Sequence, residues 1–379
     1  MTFGLRYGVN FWEGAGVNAV KIVNAMKKTL LIYALLLVSF ATIEAAAINR
    51  NEAKCLNAFL EQKSAKGNTN AEALGGKDLT QIKGIKIENG HIIEIDLSHK
   101  DLAGTLNITG FTALTKLNVS HNRITVLTLS DNPSLISVNA SHNRIREVSI
   151  TGCDNILELR LNRNVLGDAD FSGMPLLKRL DISGNMFVEL NVANALNLQQ
   201  LNCMSNQLRV LNVSGCQNLK SIYASYNELS GITLSGLVKL ENLNIGSNRI
   251  LNLYLQDLPM LNSLFCSDNH MQQLAIKNCR NINEVWAPYN DLTAFSVEGE
   301  ESLGFVNLEW NDLTYLNLSN FTFLQKLNVA HNQLTTLNVS NDPMLTTLIL
   351  HGNYMLFNVI AEQDPMLRNV IGMAAWQNF

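Results

Sequence analysis

Seven histidines and six cysteines are the side chains with which this 379-residue chain would hold a metal or attack a substrate. The histidines are His91, His99, His121, His142, His270, His331 and His351. None belongs to an HExxH pair, and no CxxC spacing, Ser/His/Asp set, glycine-rich phosphate loop or paired-carboxylate motif accompanies them. Zinc hydrolysis, nucleophilic catalysis and phosphate binding need those arrangements. The sequence therefore reads as a non-enzyme with no catalytic residue, no cofactor and no metal site. Recognition chemistry is better represented. Tyr223, Tyr226, Phe265, Trp286, Tyr289, Phe305 and Trp310 form a series of large aromatics, interleaved with Asp268, Glu284 and Glu309. Residues 282–365 carry ten acidic side chains and a single basic one, Lys326. Large aromatics on an exposed face are typical of binding hot spots, and a single-sign rim steers an oppositely charged partner.

The elements that present these residues follow from one interval. Asparagine stands at Asn122, Asn143, Asn164, Asn185, Asn206, Asn227, Asn248, Asn269, Asn290, Asn311, Asn332 and Asn353, 21 residues apart at every step. A fixed period of this size means a solenoid. Around each asparagine runs the frame LxxLxLxxNxLxxLxLxxxxx, as in LTKLNVSHNRITVLTLSDNPS (114–134). The LxL alternation is a short strand with one face inward, and stacked coils bring identical positions about 4.8 Å apart. A buried asparagine in each turn has the donors and acceptor to tie the main chains of neighbouring coils into a ladder. In this frame the aromatics occupy exposed columns four and one residues before the asparagine, with Phe305 one column over. His99, His121, His142 and His331 directly precede the ladder position and read as solvated strand ends. His121 and His142 lie one coil apart and could share a metal, but no carboxylate joins them in that column.

The cysteines also fall in register. Cys203 and Cys266 share one inward column. Cys153, Cys216 and Cys279 share a second, ten residues after the asparagine, which elsewhere holds Met174, Ala195, Leu237, Leu258 and Phe321 and reads as semi-buried. They read as small core hydrophobes, with a within-coil Cys203–Cys216 or Cys266–Cys279 disulfide as the alternative. Cysteines three coils apart stand too far from one another to bridge.

These residues resemble the leucine-rich repeat family. The second half of each unit, as in ITVLTLSDN (124–132), echoes the first, LTKLNVSHN (114–122), and such nesting is similar to the bacterial 21-residue subclass called IRREKO. An earlier copy, residues 92–113, is one residue longer and carries Lys100 at the asparagine position. No stretch within a unit is patterned for a helix. The expected fold is an all-β solenoid of about 13 coils. Parallel short strands would line both sides, the second row near Leu127–Leu129, Leu211–Val213 and Leu337–Val339. Curvature would be low, with little helix outside an N-terminal cap.

The rest of the chain divides around this array. Residues 26–47 (MKKTLLIYALLLVSFATIEAAA) combine a basic start, a short apolar run and small residues for cleavage after Ala47, as in a bacterial signal peptide. The run is shorter than the roughly 20 residues of a membrane span. Residues 1–25 show no pattern and read as an over-extended start. Residues 48–91 form an N-terminal cap, with an amphipathic helix over 50–65 that turns Ala53, Leu56, Phe59 and Leu60 inward. Residues 92–365 are the repeats, and 366–379 are a C-terminal cap or stub.

Composition narrows the function classes. The chain is 47% hydrophobic and 16% charged with a net charge of −4, which suits neither a nucleic-acid binder nor a disordered chain. The expected product is secreted, periplasmic or at the cell surface, with no membrane span after processing. Leucine-rich repeats are mostly protein-binding scaffolds, so the resemblance implies recognition of a protein, here one with a basic surface. A glycan-binding surface adhesin is the first alternative, and the repeat half of a truncated secreted effector enzyme the second.

Overall fold

The computed structural model describes residues 47–299 and 302–372. The leader readings over 1–25 and 26–47 lie outside the described residues except for Ala47, as does the end of the 366–379 segment. From His91 onward the chain winds as a β-solenoid of about 13 turns. One sheet of fifteen strands runs through it, and its order follows the chain from Ile85–Glu88 to Asn369–Ile371. After the first antiparallel pair, every pairing in this sheet is parallel and joins equivalent positions of successive coils. Leu117 pairs with Val138, Leu201 with Ile222 and Val285 with Val306. Such in-phase stacking puts each inward aliphatic residue on its counterpart in the next coil. Leu114, Leu135, Leu198, Leu240 and Leu324 are accordingly all fully buried.

The far side of each coil carries a second, interrupted row. Its strands form four short sheets of three, two, three and three members among the described residues. Strands there span Arg123–Thr128, Val210–Asn212 and Thr336–Asn338, about one residue before the positions expected from the pattern. Two of the breaks coincide with Asp168-Ala169-Asp170 and with Gly231, residues poorly suited to a pleated strand. Between the two rows lies a continuous hydrophobic core. Among the described residues no helix is long and apolar enough to cross a membrane.

The N-terminal end of this core is closed by α1 (Arg50–Leu60), α2 (Asn70–Leu74) and a hairpin of β1 (Ile85–Glu88) and β2 (His91–Asp96). The hairpin turns at Asn89-Gly90, both with positive φ, the conformation that matches strand twist. α1 is shorter than the 50–65 span its pattern suggested. Leu56, Phe59 and Leu60 are buried as expected, Ala53 is only half-buried, and Glu52 is fully buried instead. Its carboxylate accepts from the Ile92 N–H and meets His91 Nδ1, both at 2.8 Å. Just past the end of the helix, Gln62 ties it to the first far-side strand. Its amide accepts from Thr105 N–H at 2.7 Å and donates to Thr105 C=O at 2.8 Å, completing the open edge of the far-side row. Gly104 makes room for this contact, since a β-carbon there would overlap the Gln62 amide oxygen.

The asparagines bridge coils with one repeated geometry. Asn227 Nδ2 donates to Ala224 C=O in its own coil and to Cys203 C=O in the preceding one, both at 3.0 Å. Its Oδ1 accepts from Leu208 N–H at 3.0 Å. The same three bonds recur at Asn164, Asn248 and Asn311. In the first repeat, where Lys100 replaces asparagine, the Lys100 N–H itself donates to Asn122 Oδ1 at 3.1 Å.

In the second column the three cysteines are fully buried while Ala195 and Phe321 are half-buried, and the column forms part of a second ladder. Asn132 heads it, with Oδ1 accepting from Phe111 N–H and Nδ2 donating to Ile108 C=O and Leu129 C=O. One coil later, the Cys153 thiol donates to Leu129 C=O, and Cys216 donates to Val192 C=O across the same 24-residue interval. All six cysteines are free, so neither within-coil disulfide forms. Burial pushes the Cys203 thiol up to about 12 and raises Cys266 further, which keeps both as unreactive packing groups.

Candidate functional site

The turn that ends each strand sets how the aromatics are displayed. The column directly before the ladder asparagine is left-handed in every coil: His121, Arg163, Tyr226, Asp268, Tyr289, Trp310 and His331 have φ between 52° and 58°. A side chain there costs about 1–2 kcal/mol relative to ordinary backbone. The turn recurs even at His99, where Lys100 replaces the asparagine, and it holds the side chain at this position outward. Bulky aromatics in this conformation are uncommon, and strained positions cluster at functional surfaces.

Two files of rings result. Along the strand column, Phe265 stacks on Trp286 with centroids 6.2 Å apart, and Trp286 meets Phe305 at 4.4 Å. Along the turn column, Tyr289 stacks on Trp310 at 6.2 Å, and Trp310 stacks on His331 at 3.9 Å with planes 7° apart. The rings of the turn column stand clear of the surface, Tyr289 and Trp310 being 57% and 46% exposed. Phe265, Trp286 and Phe305 are half-buried rather than fully exposed, because each covers its neighbour's edge. Polar groups pin the files. Trp286 Nε1 donates to Glu284 at 3.4 Å, Asn328 donates to Glu309 at 3.0 Å, and Lys326 Nζ sits 5.5 Å from the Phe305 ring centre.

The remaining candidates lie apart from these files. Tyr223 and Tyr226 are separated from Phe265 and Tyr289 by the coils of Asn244 and Ser247 and of Asp268, and Asp268 accepts from Ser247 Oγ at 2.8 Å. Tyr226 is exposed, whereas Tyr223 is half-buried. The structure thus gathers Phe265, Glu284, Trp286, Tyr289, Phe305, Glu309 and Trp310 on one face and leaves Tyr223 and Tyr226 as outliers two coils away.

The histidines are more organised than solvated strand ends. His99, His121 and His142 form a parallel stack with ring centres 4.1 Å apart. Burial first, then the His121 and Arg163 charges, lowers His142 below the ordinary imidazole range. At the other end of the array His331 and His351 meet edge to face at 4.8 Å, beside Glu309. Sequence reasoning passed over His351. The available signal was its column, two residues before the asparagine, which holds Ser120, Ser141, Ser183, Ser225 and Ser267 in other coils.

No protein-family model matches the chain, and no curated protein matches it. Among solved structures it is similar to the functional domain of InlJ from Listeria monocytogenes, described as including a cysteine ladder. That likeness has 20% identity and a TM-score of 0.51, covering 83% of this chain and 62% of that one. The chain therefore spans about three-fifths of that protein's length. It is also similar to YopM, a leucine-rich effector from Yersinia pestis, at 21% identity and TM-score 0.51, over 73% of this chain and 87% of that one. An internalin (inlF) from Listeria monocytogenes gives 17% identity and TM-score 0.52 over 86% and 96% of the two chains. At these identities the likeness establishes a leucine-rich repeat solenoid, and a fold alone names no ligand.

Proposed function

We propose that this leucine-rich repeat chain is an exported, non-enzymatic recognition module that binds a protein through the two ring files. The observation that carries this reading is the Phe265–Trp286–Phe305 file lying beside Tyr289–Trp310 on the same strand face. Aromatic rings held by their neighbours lose little entropy on binding, and clustered tryptophan and tyrosine dominate interface energetics. The partner surface would be basic. Residues 282–365 carry ten acidic side chains, and their one cation, Lys326, is already seated against Phe305.

Trp286→Ala/Trp310→Ala tests the face. Both rings lie outside the coil core, so the variant should keep the wild-type circular dichroism spectrum. Truncating hot-spot tryptophans costs about 2 kcal/mol each, so capture from host or cell-envelope extracts should fall by more than tenfold. Capture equal to wild type removes the face from the reading. Loss of capture after periodate treatment of the extract, with protease having no effect, favours a glycan ligand instead. Export rests on residues 26–47 and is tested by mass spectrometry of the extracellular and periplasmic fractions. An N-terminus at Ile48 is expected, and an intact leader on cytoplasmic protein overturns it.

A further inference from the structure

We propose that Glu309, His331 and His351 form a binding site for a borderline transition-metal cation, zinc(II) being the natural occupant. Each residue offers one ligand atom, and the three atoms lie within 4.8 Å of one another. They come from three successive coils, so a bound ion would clamp the array across two coil boundaries.

Four features separate this cluster from incidental proximity. First, the ring geometry converges. His331 and His351 stand at 88°, whereas His99, His121 and His142 stack with planes 13° and 14° apart. Parallel imidazoles one coil apart aim their nitrogens side by side, while perpendicular ones can aim them at a common point. Second, the backbone makes room for the convergence. Gly352 occupies the left-handed column at φ 81°, and a β-carbon there would lie 2.6 Å from His331 Nδ1. Any other residue would push the His331 ring away from the His351 coil. Third, the ligands are braced. Trp310 lies flat against His331 at 3.9 Å, and the Asn328 amide holds the Glu309 carboxylate at 3.0 Å. Outer-shell partners of this kind fix ligand orientation and raise affinity. Fourth, the acidic surroundings lower the cost of adding a cation.

The donor set selects the metal. Two imidazoles with one carboxylate suit zinc and its transition-metal neighbours, while magnesium and calcium demand oxygen shells. Ligand atoms around a tetrahedral zinc stand about 3.3 Å apart, given metal–ligand bonds of about 2.0–2.2 Å. Closing from 4.8 Å would come from side-chain rotation of the half-buried His351 and Glu309. The open fourth position would face solvent beside Trp310.

The test is isothermal titration calorimetry of the full chain, dialysed against EDTA and then titrated with zinc chloride. One saturable site per chain is expected, together with a rise in melting temperature on zinc addition. His351→Ala and Glu309→Gln should each weaken binding by at least tenfold while keeping the metal-free melting temperature of wild type. His121→Ala should bind as wild type does, and magnesium chloride should give no saturable heat. Replacing zinc with cobalt(II) should give visible ligand-field bands that His351→Ala lacks. Absence of saturable zinc heat in wild type overturns the proposal, as does zinc binding unchanged by His351→Ala or lost in His121→Ala.

Discussion

Replacing Asn227 with leucine is expected to lower stability by about 1–3 kcal/mol. Leucine fills the space but makes none of the polar contacts. Leu208 N–H loses its acceptor, while Cys203 C=O and Ala224 C=O each lose one donor and keep another, Asn206 Nδ2 and Asn248 Nδ2. The stranded N–H costs about 1–3 kcal/mol, and the carbonyls add less because each keeps a bond on its other lone pair. The loss spreads, because each coil of a solenoid is stabilised through its interface with its neighbours. Asn227→Asp separates the two halves of the effect. It keeps an acceptor for Leu208 N–H but removes the donor to two carbonyls, so it should fall between wild type and Asn227→Leu at low pH and weaken further when ionised. Urea melts followed by circular dichroism measure both. An Asn227→Leu midpoint within about 0.5 kcal/mol of wild type would mean the ladder contributes little and the leucine columns alone hold the coils.

The ladder was legible because one residue type fills its column at constant spacing. Core columns such as Leu114, Leu135 and Leu198 were legible for the same reason. Where a column changes residue type, its chemistry disappeared from view. The far-side ladder passes from Asn132 to Cys153, Cys216 and Asp342 through Met174 and Leu237, so composition suggested packing while geometry shows hydrogen bonding. The aromatic face was readable as exposed columns, but its half-burial was not, since ring-on-ring cover depends on side-chain torsions. The left-handed turn was hidden too. Gly184 and Gly352 hint at positive φ, but Trp310, Tyr289 and Arg163 in the same column argue against it by type. The pairing of His331 with His351 depends on both the turn and the glycine. It emerges only when three coils are placed side by side.

Asp342→Asn is expected to stabilise the protein at neutral pH, by about 2 kcal/mol or more, with the gain shrinking under acidic conditions. Asp342 stands in the far-side column at the position equivalent to Asn132. Its Oδ1 accepts from Phe321 N–H at 2.7 Å, just as Asn132 Oδ1 accepts from Phe111 N–H. The other atom differs. Asn132 Nδ2 donates to two carbonyls, whereas Asp342 Oδ2 is buried with no partner, and Asp364 Oδ2 in the next coil is likewise orphaned. Burial, with a further contribution from the Asp364 charge, pushes the Asp342 carboxyl up to about 8, and burial raises Asp364 as well. An unfolded aspartate titrates near 3.9. Below about pH 4 both states hold the proton and the carboxyl group imposes no ionisation cost. As pH rises toward 8 the unfolded state releases its proton first, so native stability falls through that window and levels off above it. Asparagine cannot ionise, and its Nδ2 would donate to Leu318 C=O and Val339 C=O, the counterparts of Ile108 and Leu129. Melting temperatures of wild type and Asp342→Asn should therefore differ least near pH 4 and diverge toward pH 8, with the variant higher. Parallel curves across that range would mean that Asp342 keeps an ordinary carboxylate pKa in the folded chain. The C-terminal coils would then owe nothing of their stability profile to the stacked carboxylates.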